Sequence, residues 1–108
     1  MKTVLITGAA GDVGTHLSRE LAGKYKLRLS DKRALQPPKG QTFMRADISK
    51  MADALRITKG VDAVVHLGGY SVEGPWEGIL QANIIGCYNA FEAARRFVDD
   101  TTARTEAA

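Results

Sequence analysis

The stretch Thr7-Gly8-Ala9-Ala10-Gly11-Asp12-Val13-Gly14 constrains this chain more than any other, because it follows directly on the apolar run Thr3-Val4-Leu5-Ile6 and opens a helical pattern. A short β-rich segment that breaks into glycines at three-residue spacing makes a phosphate site from backbone alone. Gly8 permits the tight turn, Gly11 lets the main chain approach a pyrophosphate, and Gly14 lets the helix sit close to the strand. The helix start then offers free N–H groups and a partial positive charge to the anion.

A second residue supports that reading. Asp31 ends another apolar run, Leu27-Arg28-Leu29-Ser30, near the offset of about 20 residues at which a carboxylate binds an adenosine ribose. Such a carboxylate accepts hydrogen bonds from the 2′- and 3′-hydroxyls and opposes a 2′-phosphate. At ~4 Å and an effective dielectric near 20 that repulsion is about 4 kcal/mol per charge pair. Lys32 and Arg33 carry the charge to grip a 2′-phosphate, but on long, exposed side chains, whereas Asp31 is expected to face the ribose from the strand tip. The expected cofactor is therefore NAD in preference to NADP. The plainer alternative for Asp31 is a turn-capping carboxylate.

With 108 residues the chain has room for one domain with a real core. Its 44% hydrophobic and 25% charged residues are those of an ordinary globular protein. No apolar stretch approaches the roughly 20 residues that span a bilayer, and the N-terminus enters a strand and not a signal peptide, so the expected location is cytoplasmic, away from membranes. The lone cysteine, Cys87, excludes an internal disulfide and a multi-cysteine metal site, and reads as a buried thiol on a helix. A net charge of +3 is modest and scattered over Lys24, Lys26, Arg28, Lys32, Arg33 and Lys39, a solvated face without the interleaved aromatics of a nucleic-acid surface.

Patterning places strands over Thr3–Thr7, Lys26–Ser30, Thr42–Ala46 and Val61–Leu67. Helices are expected over Asp12–Gly23, with Val13, Leu17 and Leu21 forming one apolar stripe, over Lys50–Lys59 with Ser49 as N-cap and Gly60 closing it, and over Trp76–Phe97. Pro37-Pro38 and Gly40 mark a surface loop. Alternating strands and helices predict an α/β fold, a Rossmann-type parallel sheet of order 3-2-1-4 flanked by helices. Gly8–Gly14 and Gly68-Gly69 then meet at the switch point between the first and fourth strands. Residues 1–97 form the partial dinucleotide-binding domain, and 98–108, small and polar, are expected to be frayed or disordered in place of a fifth strand.

These motifs resemble those of the extended short-chain dehydrogenases/reductases, and among them the NAD-dependent uronate (hexuronate) dehydrogenases. The broad likeness lies in the glycine motif, Asp31, Asp47-Ile48 and His66-Leu67-Gly68-Gly69; the narrower one in Tyr70-Ser71-Val72-Glu73 and Ile79-Leu80-Gln81-Ala82-Asn83-Ile84-Ile85-Gly86. By this resemblance Gly8, Gly11 and Gly14 would cradle the pyrophosphate, with Asp12 and Val13 supplying backbone donors, and Asp31 would hold the ribose. Asp47 and Ile48 would border adenine, and Leu67, Gly68 and Gly69 would line the cofactor. Ser71 would contact the sugar substrate, and Asn83 would support the active-site backbone. Asp47 is otherwise a loop carboxylate, Ser71 a hydroxyl capping its own loop, and Asn83 a polar residue on a helix face. His66, inside a strand, reads as a hydrogen-bonded structural histidine, and His16 as an exposed helix residue.

The implied reaction is NAD-dependent oxidation of a hexuronic acid, glucuronate or galacturonate, at its anomeric hydroxyl to an aldarate lactone. The family performs it with a serine and a Tyr-x-x-x-Lys pair, which this chain lacks: Tyr25 is followed four residues on by Leu29, Tyr70 by Gly74 and Tyr88 by Glu92. The chain thus resembles an N-terminal cofactor-binding part, without catalytic residues of its own and expected not to turn over alone. An unpaired edge on the fourth strand invites homo-oligomerisation. The competing expectations are a sugar-nucleotide epimerase or dehydratase of the same fold, and a non-catalytic dinucleotide sensor. A P-loop phosphotransferase is excluded because no Gly-Lys-Ser/Thr follows the glycines.

Overall fold

Alternation along β1, Thr3–Thr7, sends Val4 and Ile6 to one face of a sheet and Leu5 to the other. A computed structural model describes residues 1–69 and 73–102. β2 (Lys26–Asp31) and β4 (Ala63–His66) flank β1, and β3 (Thr42–Arg45) pairs with β2. Every pairing is parallel and the order is β3-β2-β1-β4, as the alternation of elements predicts.

Each face carries its own core. Val4, Ile6, Ala9, Leu27 and Leu29 pack with Leu17 and Leu21, contributed by α1 (Asp12–Glu20) and its C-cap. Leu5, Ala46, Ile57 and Val61 pack together on the opposite face, with Ile57 supplied by α2 (Met51–Thr58). Leu5, Ile6, Leu27, Leu29 and Ile57 are almost wholly shielded, and each such side chain contributes about 1.5–3 kcal/mol. A last helical run begins as α3 (Trp76–Ile79), widens into a π-helical turn over Leu80–Ile85 and continues as α4 (Gly86–Thr102), which lies against α2 and β4.

Several elements depart from expectation for reasons visible in the packing. α1 stops at Glu20, and Gly23 beyond it takes a positive φ of 82° in the turn to β2. Val13 leaves the predicted apolar stripe: it is 65% exposed, because the first turn of α1 stands at the mouth of a crevice beyond the sheet. Ser49 does not cap α2; its hydroxyl donates to Asp47 Oδ1 (2.7 Å), and Lys50 is the N-cap without a side-chain bond. β4 spans Ala63–His66 only, matching the four partners that β1 offers from Val4 to Thr7. Cys87 is half-buried and not enclosed in the core.

Arg28 is also no part of a solvated face. Its Nη1 donates to the Ile57 and Lys59 carbonyls at 2.6 and 2.7 Å, so a cation on β2 satisfies the acceptor end of α2. The helix expected to end at Phe97 runs on to Thr102, and residues 103–108 lie outside the described residues. The tail expectation is answered only over its first residues.

Candidate functional site

The carboxyl ends of β1 and β4 are tied by one hydroxyl. Thr7, only 3% exposed, accepts the N–H groups of Leu67 (3.0 Å) and Gly68 (3.2 Å) on its Oγ1. With both lone pairs engaged, its single proton goes to His66 Nδ1, 2.6 Å away. His66 is thereby held as the tautomer protonated on Nε2, a hydrogen-bonded structural residue as a strand histidine should be. Burial pushes its pKa below the ordinary imidazole value.

Close approach explains the outer glycines. Gly8 has φ 69°, and a Cβ there would lie 2.6 Å from the Leu67 carbonyl carbon and oxygen. A Cβ on Gly14 would lie 2.5 Å from the Gly8 carbonyl oxygen and 2.7 Å from Ala9 Cα. Gly11 is different. Its backbone is extended (φ −81°, ψ 176°), and its Cβ would meet nothing nearer than the Gly8 carbonyl oxygen at 3.4 Å. Nothing inside the protein demands glycine at this position, so the open space fits an external group approaching the main chain. Gly11 is also the N-cap of α1 and supplies no side-chain bond, leaving the first-turn N–H groups to face that space.

The crevice beyond encloses about 970 Å³, at the upper end of ligand-site sizes. Gly8, Gly11, Asp12, Val13, Gly14, Asp31, Asp47, Ile48, Leu67, Gly68 and Gly69 all line it, so residues far apart in the chain converge as the motifs suggested. Asn83 lies one step behind: its Oδ1 stands 2.5 Å from where a Cβ on Gly69 would be, and Gly69 has φ 135°. Ser71 lies outside the described residues. Thr7, Lys32, Arg33, Glu77 and Gln81 also border the crevice, without having been singled out for it. For Thr7 the available signal was a hydroxyl at the last position of a buried strand.

Asp31 does not project freely from its strand tip. Only 8% exposed, it accepts the Ala10 N–H on Oδ2 (3.0 Å) and the Arg33 N–H on Oδ1 (2.9 Å), with Arg33 Nε 3.2 Å from Oδ1. Burial opposes its ionisation, but these bonds from Arg33 and Ala10 outweigh burial and hold its pKa below the ordinary value. Asp47 makes a local turn, its Oδ1 accepting the Ser49 hydroxyl and N–H, while its own N–H donates to Asp53 Oδ2. The Ser49 hydroxyl is the chief cause of its lowered pKa.

Stability is therefore expected to fall in two steps on acidification. The folded pKa of His66 is depressed, so its contribution is complete above the ordinary value of ~6.5 and is lost as pH falls from there through the folded value. Asp31 and Asp47 contribute fully above ~3.9 and lose it as pH falls through their lower folded values. Urea unfolding across this range measures both steps, and His66→Gln should abolish the upper one. Superimposable profiles for the two proteins would refute the assignment.

The model of the NAD dependent epimerase/dehydratase family matches residues 4–103. A uronate dehydrogenase of Pseudomonas syringae pv. tomato is 44% identical over 97 residues, covering 86% of this chain and 35% of that protein. One from Agrobacterium fabrum is also 44% identical, covering 88% of this chain and 37% of its own length. The crystal structure of an Agrobacterium tumefaciens uronate dehydrogenase variant complexed with NAD superimposes with a TM-score of 0.85 at 43% identity, over 90% of this chain and 37% of that one. The chain thus spans little more than a third of the curated relatives it matches.

Proposed function

The chain belongs to the NAD dependent epimerase/dehydratase family, and from that premise we propose that it is the NAD-binding N-terminal part of an oxidoreductase acting on hexuronic acids. The observation that carries the reading is Gly11: a glycine with open space above it, at an uncapped helix start, in a crevice where two glycine clusters meet.

In this reading the Gly8–Gly14 backbone, with the N–H groups of Asp12 and Val13, holds the pyrophosphate. Asp31 holds the adenosine ribose, Asp47 and Ile48 border adenine, and Leu67, Gly68 and Gly69 line the cofactor. Ser71 contacts the sugar acid, and Asn83 keeps the Gly69 backbone in place. NAD, when bound, supplies the hydride acceptor for oxidation of an anomeric hydroxyl to a lactone. The residues of this chain bind and orient; none has the role of the proton-abstracting base. A cytoplasmic setting, away from membranes and nucleic acid, goes with this reading: no helix among the described residues is long and apolar enough to cross a membrane.

Calorimetric titration with NAD and ADP-ribose tests the binding step. Saturable binding of both, in competition, supports the half-site; a folded chain that binds neither overturns the proposal. Glucuronate, galacturonate and nucleotide sugars, compared on a protein of the relatives' full length, separate uronate oxidation from epimerase chemistry.

Self-association forms a further part of the reading. Among the described residues the outer edge of β4 pairs with no strand, and beside it Val64, Cys87, Ala90 and Phe91 line a cleft of about 710 Å³. Phe91 is 66% exposed there. An apolar edge of this kind templates another strand. Sedimentation should show a weight-average mass that rises with concentration; a monomer at every concentration would count against it.

A further inference from the structure

Asp31 alone would predict strong rejection of a 2′-phosphate, but the carboxylate does not stand alone. Arg33 binds it through Nε at 3.2 Å from Oδ1 and Nη2 at 3.5 Å from Oδ2, while the Ala10 N–H takes the inner side of Oδ2. The negative charge is thus enclosed between the glycine loop and a guanidinium. Arg33 itself is 67% exposed and lines the crevice. Its Nη2 lies 3.8 Å from where a Cβ on Gly11 would stand, so the cation reaches across the opening from the ribose carboxylate to the phosphate-facing glycine.

We infer that Arg33 is a specificity-determining residue, a guanidinium that lets this crevice accept a dinucleotide bearing a 2′-phosphate at a modest penalty where Asp31 by itself would exclude it. The inference rests on the crevice being a dinucleotide site. The chemistry is that of a forked cation. A guanidinium has five N–H donors in a rigid plane, and two of these are engaged on Asp31, leaving the others for phosphate oxygens. Lys32 lines the same end and adds a second positive charge, set against the carboxylates of Asp12, Asp31 and Asp47. For a ligand without the 2′-phosphate the same contact works in the opposite sense. The ribose hydroxyls must displace Arg33 from Asp31, so Arg33 reduces the gain from the neutral ribose while it favours the phosphorylated one.

The test is calorimetric titration of the wild-type chain, Arg33→Gln and Arg33→Lys with NAD and NADP. The wild-type chain is expected to bind both, with NADP weaker by about tenfold, one charge-assisted contact's worth of discrimination. Arg33→Gln should widen the gap by about a further tenfold or more, by weakening NADP while leaving NAD unchanged or tighter. Arg33→Lys, which keeps the charge and loses the fork, should fall between them. An unchanged NAD-to-NADP ratio in Arg33→Gln, or equal losses for both ligands, would overturn the role of Arg33 while leaving the dinucleotide site intact. Failure of the folded wild-type chain to bind NAD at all would instead overturn the dinucleotide reading, and this inference with it.

Discussion

Alanine at Gly8 or Gly14 is expected to unfold a large share of the molecules, whereas alanine at Gly11 leaves the fold intact and abolishes cofactor binding. At Gly14 the new methyl would sit 2.5 Å from the Gly8 carbonyl oxygen and 2.7 Å from Ala9 Cα, both backbone atoms that no rotamer change can move aside. At Gly8 the clash with the Leu67 backbone is compounded by φ 69°, a left-handed conformation costing a non-glycine residue about 1–2 kcal/mol. Overpacking adds roughly 1–3 kcal/mol at either site, against a total stability of about 5–15 kcal/mol for a domain. A drop of about 10 °C or more in Tm is the expected reading for each. Gly11 has a backbone that alanine adopts freely, so the change there costs within about 1 kcal/mol, mostly through the weaker N-cap. Calorimetry and thermal melts on the three variants separate packing from binding. A Gly11→Ala chain that kept full NAD affinity would sink the pyrophosphate assignment.

Thr7→Val is the second change expected to act strongly. Valine fills the same space, but the Gly68 N–H loses its acceptor and His66 Nδ1 loses its donor, while the Leu67 N–H retains the Thr7 carbonyl at 3.2 Å. Leaving such part-buried groups unpaired costs about 1–3 kcal/mol, and Thr7→Ser should restore most of it. The same substitution frees the Gly68-Gly69 turn from β1, so amide exchange at Gly68 should quicken by more than the global loss of stability explains. Equal urea midpoints for Thr7→Val and the wild-type chain would show that the hydroxyl ties nothing together.

Much of the molecule is legible in the chain because the demands are local. A strand's alternation assigns Val4 and Ile6 against Leu5 to opposite faces, and glycine spacing states where backbone must turn or approach closely. Strand–helix alternation limits the topology to a right-handed parallel sheet, and the order β3-β2-β1-β4 follows. The same local logic brings the glycine motif, Asp31, Asp47-Ile48 and Leu67-Gly68-Gly69 to one crevice, since strand ends in such a sheet share one side.

What the chain concealed concerns long side chains and their partners. Arg28 reads as a surface charge until the carbonyls of Ile57 and Lys59 arrive beside it from α2. Val13 fits an apolar stripe by spacing, yet the first turn of α1 overhangs the crevice and leaves it exposed. Ser49 has the chemistry of an N-cap but finds a nearer acceptor in Asp47. Asp31 is placed by the motif, but its orientation toward Ala10 and its enclosure by Arg33 depend on the exact separation of two loops. Backbone conformation and burial period are written residue by residue and can be read from sequence alone. Which donor reaches which acceptor is decided only when distant segments settle within about 3 Å of one another, because hydrogen-bond strength falls away steeply beyond that distance.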